Sequence, residues 1–167
     1  DVVDYFTCPE LLLALPRWAP QWSDSISTIG VYCHEFGHML GLPDFYDTAT
    51  GANHVGMWDI MDYGTWSQIR SDPRFSAPGA IPSHFSAWSK MFLGWAEPVV
   101  LAPGTGEATT RFRSLESASR DGAPAQFRAN PFGVDWTRGD PGVGEYFLAE
   151  VRTLDGYDAG LPSAGLL

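Results

Sequence analysis

His34 and His38 lie one helical turn apart, Glu35 follows the first of them, and Asp44 comes shortly after a glycine at position 41. Residues four apart on a helix sit about 40° from each other around the axis, so both imidazoles point to one side. That is what a single zinc ion needs from two ligands. Glu35 is turned away by about 100° and can reach a water on the metal without ligating it. Catalytic zinc keeps three protein ligands and one open position, where a bound water has its pKa lowered to about 7. Asp44 is the candidate third ligand, an anionic oxygen delivered just past the Gly41 turn. Glu35 would take a proton from the attacking water and pass it to the leaving amine, while the metal steadies the oxyanion. The expected chemistry is metal-dependent hydrolysis, of peptide bonds first of all.

The pentamer His-Glu-x-x-His is a weak sign alone, because three specified residues recur by chance in helices. Its weight here comes from Gly41 and Asp44 at their offsets and from apolar spacing on the same helix. Other donors fit less well. His54 competes with Asp44 as third ligand, but it is a loop histidine, and His84 opens a later helix. Glu97 stands beside Pro98, outside the helix that a thermolysin-like arrangement would use. Asp47, Asp59 and Asp62 read as solvated or capping loop acids. Calcium is the alternative for them, since hard carboxylates crowd one loop, although no EF-hand pattern is present. There is no GxSxG, P-loop or Cys-His nucleophile signature.

The helix that must carry these groups is expected from about 26 to 40. Ser23, Asp24 and Ser25 offer N-cap residues. Ile26, Ile29, Cys33 and Phe36 form its buried side at spacings of three and four. Gly41 ends it, because glycine accepts the left-handed conformation past a helix end, and Pro43 stiffens the exit. A short helix is expected within 4–18, and residues 45–80, rich in Gly, Pro, Asp and Trp, read as loops around the site. A further helix is expected over 83–93, with Phe85, Trp88, Ser89 and Phe92 on one side and Gly94 at its end. Past Pro98 the pattern turns to short strands at 99–101, 109–112, 145–151 and from 165 onward. The fold class is α+β, with a change of character near 98–105.

The chain has 167 residues, 44% hydrophobic and 14% aromatic, enough for a packed core. Its formal net charge is −10, so counterion release offers no affinity for nucleic acid or anionic lipid. Lys90 is the only lysine among ten basic residues, a bias without a physical account. No run approaches the roughly 18 apolar residues of a membrane span. The apolar stretch 11–15 ends at Pro16 and has no basic segment before it, so it does not read as a signal peptide. The sequence opens at Asp1 without a methionine and stops within an apolar run at Leu166 and Leu167. The expectation is a piece of a larger protein with domains upstream and downstream. Cys8 and Cys33 read either as two buried thiols or as a disulfide suited to a secreted protein. Cys33, adjacent to His34, points away from the ligand side of the helix.

The pattern His34-Glu-x-x-His38-x-x-Gly41-x-x-Asp44 resembles the extended zinc signature of metzincin-like peptidases, in the variant with Asp as third ligand. The string from His34 to Asp47, His-Glu-Phe-Gly-His-Met-Leu-Gly-Leu-Pro-Asp-Phe-Tyr-Asp, is similar to the immune inhibitor A family of secreted bacterial zinc peptidases. Residues 56–66 resemble that family's segment around the methionine turn. Residues 87–95 resemble its later helix, and 144–152 with 156–162 its first strands past the catalytic region. The resemblance covers most of 26–167, with a weak stretch at about 103–140.

The resemblance implies His34, His38 and Asp44 as metal ligands and Glu35 as general base. It implies Met61, with Met57 as competitor, in the tight turn beneath the metal. Tyr63 resembles a tyrosine that other metzincins place near the metal, where it could donate to the oxyanion. Zinc, mildly calcium, protein or peptide substrates and an extracellular location follow from the same likeness. Residues 1–100 would be the C-terminal part of a zincin catalytic domain, and 101–167 the start of a β-rich domain. Metzincin catalytic domains carry a twisted sheet before the zinc helix, and its edge binds substrate by strand addition. Only about 25 residues precede the helix here, so that sheet is absent or supplied upstream. A zinc-stabilised binding or adhesion module without turnover is the second reading, and a metal amidase the third. Glu35 argues against the second, since a purely structural site has no use for a general base.

Overall fold

The computed structural model describes residues 27–101, 123–128, 134–135, 140–141 and 144–167. Short helices come first and small sheets follow, a mixed α+β composition. The expected helix within 4–18, the capping residues 23–25, Ile26, Cys8 and the strand at 109–112 lie outside the described residues. The chain divides into two compact units, Asp1–Ser86 with Leu154–Ser163, and Ala87–Thr153 with Ala164–Leu167.

In the first unit, α1 spans Ile29–Met39, within the expected bounds. Thr28 precedes it in an extended conformation, and its hydroxyl donates to the Pro78 carbonyl rather than capping the helix. The C-terminal end is a Schellman turn: Leu42 N donates to Gly37 O at 3.1 Å and Gly41 N to His38 O at 2.9 Å. Gly41 has φ 96°, the conformation that selects glycine there.

The buried side of α1 differs from the expected one. Ile29 and Phe36 are 51% and 53% exposed. Cys33 is half-buried, while Gly30, His34 and Gly37 are buried. A spacing of four and three fits Gly30, His34 and Gly37 as well as it fits the apolar residues. Close approach decides between them. A Cβ at position 30 would meet the Thr65 carbonyl, and one at 37 would meet the Met61 sulfur. Only a face without side chains admits the loop, so Ile29, Tyr32, Phe36 and Met39 are left as an exposed apolar stripe.

The loops after α1 contain two 3-10 turns, Gly56–Trp58 and Tyr63–Trp66. Two carboxylates hold them. One oxygen of Asp62 accepts from the amides of His54, Val55 and Gly56 at 3.0, 2.8 and 2.8 Å, and the other from Tyr63 N at 2.7 Å. Asp59 accepts from Met61 N at 2.7 Å and Ser86 N at 2.8 Å. These acids are capping groups as expected, but they are not solvated: Asp59 is 0% and Asp62 1% exposed. The irregular backbone offers its amides no ladder, so buried anionic oxygens take that place. Leu42, Ile60, Met61, Ile81 and Leu161 form the apolar core of this unit.

In the second unit, α2 is Ala87–Phe92, shorter than the expected 83–93. Just before it, the amides of His84 and Ser86 donate to the carboxylates of Asp158 and Asp59. Beyond it the described strands are β1 (Val99–Leu101), β2 (Ala125–Arg128), β3 (Val134–Asp135), β4 (Asp140–Pro141), β5 (Tyr146–Ala149), β6 (Val151–Arg152) and β7 (Gly165–Leu166). β1 runs parallel to β2, and β2 antiparallel to β5, pairing Phe127 with Phe147. β3–β4 and β6–β7 are antiparallel pairs. The expected strand 145–151 is broken at Glu150. Its buried carboxylate accepts from Ala87 N at 3.1 Å and lies 3.4 Å from the fully buried Arg152 guanidinium.

Candidate metal centre

α1 presents His34 and His38 from one side, their rings edge to face with centroids 4.8 Å apart and planes at 89°. The Schellman turn and Pro43 then return the chain so that Asp44 faces both. Asp44 Oδ1 lies 3.1 Å from His34 Nε2 and 3.2 Å from His38 Nε2. One ligand atom from each residue falls within 4.8 Å of the others.

The opposite ring nitrogens define the electronic state of this cluster. His34 Nδ1 is 2.8 Å from Ile60 O, and His38 Nδ1 is 2.9 Å from Leu42 O. A backbone carbonyl only accepts, so each Nδ1 carries a hydrogen, and an imidazole in that neutral tautomer turns a lone pair outward at Nε2. In that tautomer two lone pairs and a carboxylate oxygen converge. Such a set repels itself unless a cation sits among its members. The donor set fits a metal ion, and the carbonyls behind the imidazoles are the usual outer support of metal-ligating histidines.

The segment that supports His34 is the one expected beneath the metal. Met61 is 0% exposed and packs on Gly37, while Ile60, immediately before it, supplies the carbonyl to His34. Phe45 N donates to Met61 O at 2.8 Å, which ties the segment carrying Asp44 to the same turn. Met57 is half-buried in the earlier 3-10 turn.

Glu35 is half-buried and lines a cavity of about 320 Å³ with Val31, His34, Tyr46, Tyr63 and Thr65. Tyr63 is 39% exposed, and its hydroxyl donates to Gly51 O at 3.2 Å. Tyr46 is the residue that sequence reasoning missed. Its ring stacks on His34 with centroids 6.2 Å apart and planes at 28°. Burial, followed by the charge of Asp44 and a hydrogen bond to that carboxylate, raises the phenol above its ordinary range. The signal was available: in extended backbone, residues two apart share a side, so Asp44 and Tyr46 were candidates to face together.

Among the described residues, the metal-capable cluster contains His34, His38 and Asp44, and none of His54, His84 or Glu97. His54 is exposed, with its amide bound to Asp62. His84 lies edge-on to Phe85. The acids that made calcium an alternative receive backbone amides: Asp59 and Asp62 as above, and Asp47 those of Ala49 and Thr50. No second cluster of metal donors is found among the described residues. Cys33 is absent from the cluster, and burial pushes its thiol pKa up, away from the thiolate that a metal would need.

Comparison with known proteins agrees with this geometry. Residues 21–96 match the immune inhibitor A peptidase M6 catalytic domain family. The pre-pro-metalloprotease PrtV of Vibrio cholerae serotype O1 (strain M66-2) is 46% identical over 66 residues, 38% of this chain and 6% of that protein. Immune inhibitor A of Bacillus thuringiensis subsp. alesti is 36% identical over 107 residues, 56% of this chain and 15% of that protein. The chain thus spans only a small part of the length of these relatives. The likeness of residues 21–96 is thus to the catalytic domain of the immune inhibitor A peptidases of family M6.

Proposed function

We propose that this chain carries the catalytic centre of a secreted, zinc-dependent endopeptidase with a metzincin-like catalytic region. His34, His38 and Asp44 are the ligands and Glu35 is the general base. The convergence of two imidazole lone pairs and the Asp44 oxygen carries this reading. Two nitrogens and one carboxylate oxygen are a donor set that suits zinc and leaves a fourth position open. Zinc, when bound, supplies a Lewis acid and a water of lowered pKa.

The chain's own groups do the rest. Glu35, on the flank of α1 in the cavity that His34 also lines, accepts the proton of the attacking water and returns it to the leaving amine. Ile60 O and Leu42 O keep both imidazoles in the tautomer that leaves Nε2 available. Tyr63 shares the cavity, and as an oxyanion donor it would first have to leave Gly51 O. Protein substrates accord with the relative named a metalloprotease.

In this reading residues 1–100 belong to the catalytic domain and 101–167 open a β-rich one. A segment of the same polypeptide upstream covers Ile29, Phe36 and Met39, which are exposed along α1.

The test is hydrolysis of a denatured protein by the full-length polypeptide loaded with zinc. Cleavage is expected to stop with chelator, to return with zinc, and to fall by about 10²-fold or more in Glu35→Gln. Zinc binding with Glu35-independent or absent cleavage would instead favour a binding module.

A further inference from the structure

We infer that Asp59 is a positioning residue of the metal centre, acting on His34 through the single peptide group that joins Ile60 to Met61. The inference rests on the metal reading above. That peptide group is held from both ends. Its carbonyl, Ile60 O, lies 2.8 Å from His34 Nδ1, and its amide, Met61 N, donates to Asp59 Oδ1 at 2.7 Å. The peptide is trans, so the two bonds leave opposite edges of one rigid plane, which cannot turn without lengthening both. Asp59 is itself anchored. Its second oxygen accepts from Ser86 N at 2.8 Å, and its own carbonyl accepts from Asp62 N and Gly64 N, each at 3.1 Å.

Burial sets the strength of this line of bonds. Asp59, Ile60, Met61 and His34 are all buried, so water does not compete for either end of the peptide. A hydrogen bond to an ionised group is roughly twice as strong as one between neutral groups. The carboxylate draws on the Met61 amide, which polarises the peptide and makes Ile60 O a better acceptor for the imidazole N–H. Carboxylate, peptide and imidazole thus act in series, with His34 Nε2 at the far end, 3.1 Å from Asp44 Oδ1. His38 is supported from a different place, by Leu42 O at 2.9 Å. Asp62, another buried acid of the same loop, gathers the amides of His54, Val55, Gly56 and Tyr63. Of these two acids, Asp59 is the one bonded to the peptide behind His34.

The experiment uses the full-length polypeptide carrying isotope-labelled histidine. NMR reads the imidazole Nδ1–H resonances of the metal-free protein, assigned by their loss in His34→Gln and His38→Gln. Competition with a chromophoric chelator gives the Zn2+ dissociation constant. In wild type the His34 Nδ1 proton is expected downfield and slow to exchange with solvent. Asp59→Asn keeps the size and one oxygen acceptor but removes the charge. It is expected to move the His34 resonance upfield and to leave that of His38 in place. Zinc is expected to weaken about fivefold, less than the roughly 10–100-fold of groups bonded directly to a ligand, because the effect passes through a peptide. Asp62→Asn is expected to loosen the loop while the His34 resonance and zinc affinity stay as in wild type. A His34 resonance unmoved by Asp59→Asn overturns the inference and leaves the proposed function standing. So does an equal movement in Asp62→Asn, the mark of a merely structural acid. A wild-type His34 Nδ1 proton that exchanges as fast as that of free histidine overturns it as well, whatever the variants do. Wild type that binds no zinc overturns both.

Discussion

The sulfur of Met61 occupies the space that a side chain at position 37 would need. Gly37 stands between the two histidines of α1, and Met61 follows the residue whose carbonyl fixes His34. Packing and chemistry therefore meet at one contact: the distance between α1 and the loop sets the distance from Ile60 O to the imidazole.

Gly37→Ala places a Cβ against that sulfur in a buried site. Overpacking of this kind costs about 1–3 kcal/mol. The variant is expected to unfold at lower denaturant in EDTA and to bind zinc more weakly, because moving the loop lengthens the His34 support. Denaturation with and without metal checks both parts, and unchanged stability in EDTA would show that the contact is slack.

Gly41→Ala acts through the backbone. At φ 96° an L-residue is strained by about 1–2 kcal/mol. The same turn brings Leu42 O to His38 and Asp44 to both imidazoles. A drop in zinc affinity is expected alongside the lost stability, read by calorimetric titration and thermal melting.

Asp62→Ala strands the amides of His54, Val55, Gly56 and Tyr63. These amides belong to exposed or half-buried residues that water reaches in part, so a loss of about 1–3 kcal/mol is expected for the whole set. Asp62→Asn keeps an acceptor and is expected to lose less. If both variants melt like wild type, the carboxylate does not hold the loop.

Tyr63→Phe removes a hydroxyl engaged with Gly51 O on an exposed ring. The expected drop in kcat is less than about threefold, against about 10²-fold or more for Glu35→Gln. A larger drop at unchanged KM would mean that Tyr63 leaves Gly51 and donates to the oxyanion.

Asp47 gives a dependence on pH. Its carboxyl is held below the usual carboxylate range, first by the Thr50 hydroxyl and then by the amides of Ala49 and Thr50. A value lower in the folded than in the unfolded state stabilises the turn above the unfolded value of about 3.9, and the effect is lost as pH falls through the lower folded value. The amide shifts of Ala49 and Thr50 are therefore expected to hold steady from neutrality to about pH 4 and to move below it. Asp47→Asn is expected to abolish the transition, and its persistence there would assign it to another group.

The donors of the candidate centre were legible because their spacing is local. Helical period places His34 and His38 together, and a glycine stop brings Asp44 back within a few residues. The supports were not, because they are backbone groups or distant residues: Ile60 O for His34, and Asp62 gathering amides several residues away. The buried side of α1 was misread by weighing apolar residues and counting Gly30 and Gly37 as neutral, although close approach favours the position with no side chain. β2 was missed because its partners, Val99 and Tyr146 among them, are far away in sequence. Residues 83–86, Ser-His-Phe-Ser, are only moderate helix formers, and α2 begins at Ala87.

The three candidate donors all come from the stretch His34–Asp44, closed by one glycine turn. Closing so short a loop costs little chain entropy. A polypeptide still being synthesised has every donor outside the ribosome before the β-rich portion exists, and the Ile60–Met61 support follows soon after. The candidate donor set is thus complete before the chain is, and a cation that binds there would need only this stretch and its Ile60–Met61 support.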